Sequence, residues 1–189
     1  MRHLVLLLTF LSLHGLIYAQ QDSLKTGVNL ISVSGKDSLR PINESLKKQL
    51  TGLQKQESLQ KKNLRLILNL KNQKDGLLSC RWLAVGQKKD ILHVNLSVFI
   101  SKYIGETEKN LEQLFSIASK SNLMLFFDEA DALFGKRTAS SETDKQELEK
   151  TTNILISLIE KHKSSIILSC KADGCPYLPV RLKFIRISG

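Results

Sequence analysis

A chain of 189 residues with 42% apolar and 24% charged side chains has the composition of a folded domain, which excludes a disordered or collagen-like protein. Twenty-eight Lys and Arg against 18 Asp and Glu give a net charge of +10, so nucleic acid and anionic surfaces enter as partner classes to be weighed. Three cysteines, Cys80, Cys170 and Cys175, form no CxxC pair, and with four scattered histidines they offer no zinc framework.

The chain opens with Arg2 and His3 before an uncharged, leucine-rich run from Leu4 to Ile17, which ends at Tyr18-Ala19-Gln20. The run is shorter than the roughly 20 residues that span a bilayer, and Ala19 suits a cleavage site, so residues 1–19 read as a signal peptide. That reading places the mature chain in an exported compartment, periplasmic or secreted. Retention of the segment, as a buried helix or a signal anchor, is the alternative and implies a cytoplasmic or membrane-anchored protein. No later segment is apolar enough to form a transmembrane helix.

Residues 20–61 are polar and read as a linker or packing arm. Val28 to Val33 is a candidate short strand, and Asn43 to Lys62 a candidate amphipathic helix with Leu46, Leu50 and Leu53 on one side. From Pro41 to Asp90 eleven basic residues stand against four acidic ones. Only Trp82 is aromatic there, and no helix-turn-helix, zinc-finger or RNP pattern is present, so this charge reads first as a solvated face and makes nucleic acid an unlikely partner.

From residue 62 to residue 189, short apolar runs alternate with helical patterns, as in a parallel sheet covered on both faces. Strands are predicted over Leu64 to Leu70, Ile91 to Leu96, Leu123 to Phe127, Ser165 to Ser169 and Leu182 to Ile187. Helices are predicted over Gly76 to Val85, Thr107 to Lys120 and Glu147 to His162. The second carries Leu111, Leu114, Phe115 and Ala118 at helical spacing. The third strand runs straight into Asp128-Glu129, which puts two acids at the carboxyl edge where open parallel sheets bind ligands. Two acids that merely end a strand are the plainer alternative.

Ser101-Lys102-Tyr103-Ile104-Gly105-Glu106-Thr107-Glu108-Lys109-Asn110-Leu111 and Leu125-Phe126-Phe127-Asp128-Glu129-Ala130-Asp131-Ala132-Leu133-Phe134-Gly135-Lys136-Arg137 resemble two signature stretches of the AAA family of ATPases. The resemblance extends over roughly Leu64 to Ile187. It implies an α/β fold, a Rossmann-like P-loop three-layer sandwich with a five-stranded parallel sheet. It also implies ATP and Mg2+ as cofactors, Asp128 as the magnesium-holding acid of a Walker B pair, and Glu129 as the group that activates water. Lys102, Tyr103, Ile104 and Gly105 resemble the first pore loop, which grips a polypeptide client in ring-forming members. Self-association into a homo-oligomer follows as an expectation.

Other family positions are changed. The phosphate loop is expected at Leu70-Lys71-Asn72-Gln73-Lys74-Asp75-Gly76-Leu77, where the glycines, the lysine and the hydroxyl of a Walker A loop are not in place. Lys71, Lys74 and Gly76 are what remains to meet a phosphate. Ser169-Cys170-Lys171 stands where the family usually carries an Asn, and Arg181 is the one arginine candidate before the last strand to reach a neighbouring site. An incomplete core without the helical lid is expected. Cys170 and Cys175 are close enough in sequence to be bridged, leaving Cys80 unpaired. Three functions stay open: an ATPase that couples ATP hydrolysis to protein remodelling, a non-hydrolysing pseudo-ATPase that acts as an interaction module, and a basic binder of nucleic acid or anionic surfaces.

Overall fold

The computed structural model describes residues 27–33, 43–55, 63–102, 106–135, 142–171 and 174–189. The expected leader (1–19) and the expected pore-loop residues Tyr103, Ile104 and Gly105 lie outside them, as does the side chain of Lys102. In chain order the elements are β1 (Val28–Ile31), α1 (Glu44–Lys55), β2 (Arg65–Leu70), α2 (Lys74–Gln87), β3 (Ile91–Asn95) and α3 (Leu96–Lys102). There follow α4 (Thr107–Lys120), β4 (Met124–Asp128), α5 (Asp131–Phe134), α6 (Glu142–Lys161), β5 (Ile166–Lys171), a 3-10 turn at Val180–Leu182 and β6 (Ile185–Ser188).

Successive side chains of a strand point to opposite faces, and in β2 to β5 apolar residues occupy both, so both faces need a cover. On one face, Cys80, Leu83 and Ala84 of α2 pack over Leu66, Leu68, Met124, Phe126 and Ile167. On the other, Leu111, Leu114 and Phe115 of α4 join Leu155 and Ile159 of α6 over Leu92, Val94, Leu125, Phe127 and Leu168. The result is a three-layer sandwich in the strand order β1-β3-β4-β5-β2-β6.

Strands β2 to β6 are mutually parallel, as expected, but the sheet has six strands rather than five. The sixth is β1, which pairs antiparallel with β3, Val28 opposite Val94 and Ile31 opposite Ile91. It is pinned at both ends: Asn95 N–H donates to the Gly27 carbonyl at 2.7 Å, and Val33 N–H donates to Asp90 Oδ1 at 2.8 Å. Leu46 and Leu50 of α1 are fully buried beside α2 and β6, and the Gln49 amide donates to the Ser188 carbonyl at 3.1 Å. Both described parts of the polar arm are thus built into the sheet and its core.

Helix α4 has the bounds its apolar stripe predicts. Helix α6 starts at Glu142, five residues before its first predicted position, because its opening turns are polar and exposed. Glu142 and Asp144 favour that start by facing the positive end of the helix dipole. Helix α3 was not predicted; it follows β3 without a connecting loop and buries Leu96 and Phe99.

Candidate functional site

Strand order brings most of the predicted site residues to one place. The carboxyl ends of β2, β5 and β4 are neighbours, so Lys71, Lys74, Asp128 and Glu129 all lie at the same edge of the sheet. Lys71 and Lys74 are exposed there. Gly76 is different: it is buried inside α2, where a Cβ would stand 3.2 Å from Ser169 Cβ, 3.3 Å from Leu70 Cδ1 and 3.4 Å from Phe126 Cζ. Its lack of a side chain lets the helix approach the sheet.

Only Lys71, Asn72 and Gln73 connect β2 to α2, and their hydrogen bonds close the turn on itself. Asn72 Oδ1 accepts from Lys74 N–H at 3.2 Å, the Asn72 carbonyl accepts from Asp75 N–H at 3.1 Å, and the Gln73 carbonyl accepts from Gly76 N–H at 3.0 Å. A phosphate-binding helix start works because its first amides are free to point at the anion. Here the amides of Lys74, Asp75 and Gly76 already have partners within the chain. Leu77 offers no hydroxyl, and Asp75 brings a negative charge into the first turn. These residues do not fit a magnesium triphosphate.

Asp128 is also committed. It projects from the end of β4 toward the α2 face, between His93 of β3 and Ser169 of β5. Ser169 Oγ donates to Asp128 Oδ1, and Glu129 N–H donates to the same oxygen at 3.0 Å. His93 Nε2 lies 3.5 Å from Asp128 Oδ2, close enough for electrostatic attraction though without hydrogen-bond alignment. The His93 ring is held by stacking on Phe126, with centroids 5.2 Å apart. Burial works against the carboxylate, but His93, Ser169 and the Glu129 amide outweigh it and hold the Asp128 carboxyl below its ordinary value. The product is a polar bridge across three adjacent strands. Beneath it, burial and the Asp128 charge push the Cys80 thiol well up, so it stays a neutral core side chain.

Glu129 takes a left-handed backbone conformation, φ +54°, unusual for a residue with a side chain. Among the described residues no hydrogen bond or ion pair holds its carboxyl. Asp131, two residues on, ties α5 to the end of β5 through Lys171, whose Nζ lies 3.5 Å from Asp131 Oδ2. Cys170 and Cys175 form a disulfide at this same edge, and the Cys175 carbonyl accepts from Arg186 at 3.2 Å. Cys80 is the free cysteine.

Arg181 is not part of this constellation. It lies in the 3-10 turn before β6 and pairs with Glu160 at 2.6 Å, at the end of α6. The neighbouring Leu182 carbonyl accepts from Arg65, the first residue of β2. Arg181 is therefore at the amino edge of the sheet, opposite Asp128. Within one chain it cannot reach Glu129.

The sequence profile of the ATPase family associated with various cellular activities (AAA) matches residues 78–180, more than half of the chain. The chain belongs to the AAA family. The match opens at Leu78, directly after the stretch in which the phosphate loop is expected. A 70-residue region is 39% identical to an uncharacterized AAA family ATPase, y4kL, of Sinorhizobium fredii; it covers 37% of this chain and 21% of that protein. The crystal structure of the FIGL-1 AAA domain superposes with a TM-score of 0.60 over 85% of this chain and 57% of that one, at 18% identity. That likeness is one of fold, and the chain spans only part of each relative.

Sequence reasoning missed His93 and gave Ser169 no role beyond the replacement of an asparagine. A signal was present: each is a polar residue inside an apolar strand run, Ile91-Leu92-His93-Val94 and Ile166-Ile167-Leu168-Ser169. A polar side chain so placed needs a partner.

Proposed function

We propose that this AAA-family chain has left nucleotide turnover and serves as a non-hydrolysing protein-interaction module. The observation that carries the proposal is the paired state of the Lys74, Asp75 and Gly76 amides, which removes the cradle a triphosphate requires. The two hydrogen bonds that Asp128 Oδ1 accepts, from Ser169 and from the Glu129 amide, support it, because they occupy lone pairs of the acid that would hold the metal's water. The stretches proposed to carry the contact are Lys102 to Glu108 and Asp131 to Arg137, which most resemble the family's signatures. A polypeptide or a second copy of the chain is the proposed partner.

Calorimetric titration and thermal unfolding with ATP and magnesium test this. The expected result is neither heat nor a shifted midpoint at millimolar ligand. A specific site would stabilise the fold by about 2.7 kcal/mol at a hundredfold excess over Kd, so a saturable midpoint shift overturns the proposal. The competing reading, ATP hydrolysis coupled to protein remodelling, draws on Glu129, whose carboxyl has no hydrogen bond or ion pair among the described residues. Under that reading Glu129→Gln abolishes phosphate release while leaving nucleotide binding intact. Under ours, the wild-type chain releases none above background.

A further inference from the structure

At the amino edge of the sheet, opposite the acids, the ends of α2 and α4 enclose a groove of about 460 Å³. That volume is in the range of small-molecule sites. Val33, Val85 and Leu123 form an apolar wall, and Lys88, Lys89 and Asp90 supply the charges. Asp90 is occupied with holding β1 in place: its Oδ1 accepts from Val33 N–H at 2.8 Å and from Ser32 Oγ at 3.4 Å. Lys89 is half-buried, and among the described residues no carboxylate pairs with it. Burial pulls its pKa down, the signature of an ammonium that has lost water without gaining a counter-ion.

The surroundings do not neutralise it. Arg65, at the same edge, spends its guanidinium on the carbonyls of Ile159, Glu160 and Leu182 rather than on an acid. The His162 ring is held below its ordinary pKa by burial and by the positive charges of Arg65 and Lys89, so that excess charge is felt across the edge. Among the groove's side chains, two lysines stand against one aspartate, an excess of one positive charge. The carbonyl ends of α2 and α4 and the Asp90 carboxylate would repel a dianion more strongly than a monoanion. Asn122 and Ser121 add polar groups at the rim.

We propose that this groove binds a small monocarboxylate with an apolar body, the carboxylate on Lys89 and the hydrocarbon against Val33, Val85 and Leu123. The test uses the full chain with hexanoate, its uncharged counterpart hexanol, and inorganic phosphate, followed by amide NMR shifts and calorimetry. Hexanoate is expected to give saturable shifts at Val85, Lys89, Asn122 and Leu123, with hexanol and phosphate binding more weakly. Lys89→Met, which keeps the stem and removes the charge, is expected to weaken hexanoate about fivefold, the effect of losing one partly exposed ion pair. Equal affinity for hexanol, equal or tighter affinity for phosphate, or undiminished binding by Lys89→Met overturns the proposal. The hexanol and phosphate arms need no variant, so the outcome does not depend on how Lys89→Met folds.

Discussion

Ser169→Ala removes the hydroxyl that donates to Asp128 Oδ1 and leaves the rest of the bridge between β3, β4 and β5 in place. A hydrogen bond to a charged group contributes about 1.5–3 kcal/mol. The Asp128 side chain is 18% exposed, so water recovers part of that, and its Oδ1 keeps the Glu129 amide at 3.0 Å. The lower end of the range applies, about 1.5–2 kcal/mol, or roughly 3–8 °C in the midpoint of a domain this size. Thermal unfolding followed by circular dichroism, with urea denaturation as a second measure, reads it at neutral pH. The pH dependence adds a sharper condition. Because the folded-state pKa of Asp128 lies below the ordinary 3.8, its ionised form contributes stability that is fully present above that value and is lost as pH falls through the folded-state value. The penalty of Ser169→Ala should therefore shrink in strong acid, and Asp128→Asn should show a shallower acid limb than wild type. A Ser169→Ala midpoint equal to wild type at neutral pH, or a penalty that does not change with acid, refutes the assignment of Asp128 as a charged bridge.

Leu50→Ala truncates a fully buried side chain of α1 and is expected to cost about 3 kcal/mol by urea denaturation; a cost below about 1 kcal/mol would detach α1 from the cooperative unit. His162 gives a second pH effect. Burial and the charges of Arg65 and Lys89 place its folded-state pKa below the ordinary 6.5, so the neutral ring contributes stability above 6.5 that declines as pH drops toward the folded-state value. His162→Gln is expected to flatten that part of the stability profile, and identical profiles for the two proteins would exclude His162 as its source.

What could be read from the sequence is what depends on local pattern. The stripe Leu111, Leu114, Phe115 and Ala118 fixed α4 to the residue, and five apolar residues in a row marked β4 as buried on both faces. The two signature stretches point to the family by their residues alone. Pattern fails where polar residues form the element: the first turns of α6 carry no apolar stripe, and α3 is a short apolar segment that reads equally well as continued strand. It also fails across distance. His93, Asp128 and Ser169 lie on three strands and become neighbours only through the order β3-β4-β5. Position counting placed Gly76 at the phosphate loop, yet whether its amide is free depends on the turn formed by Asn72 and Gln73, which no spacing rule supplies.

With β1 in place, the backbone of Ile91 to Val94 has a partner on both sides. A chain trimmed to begin at residue 62 would lay bare a row of unsatisfied amide and carbonyl groups flanked by Ile91, Leu92 and Val94. Such a margin is sticky toward any extended peptide, including its own copies. Insolubility of the trimmed chain would then reflect the missing selvedge of the sheet and not a defect of the family's core.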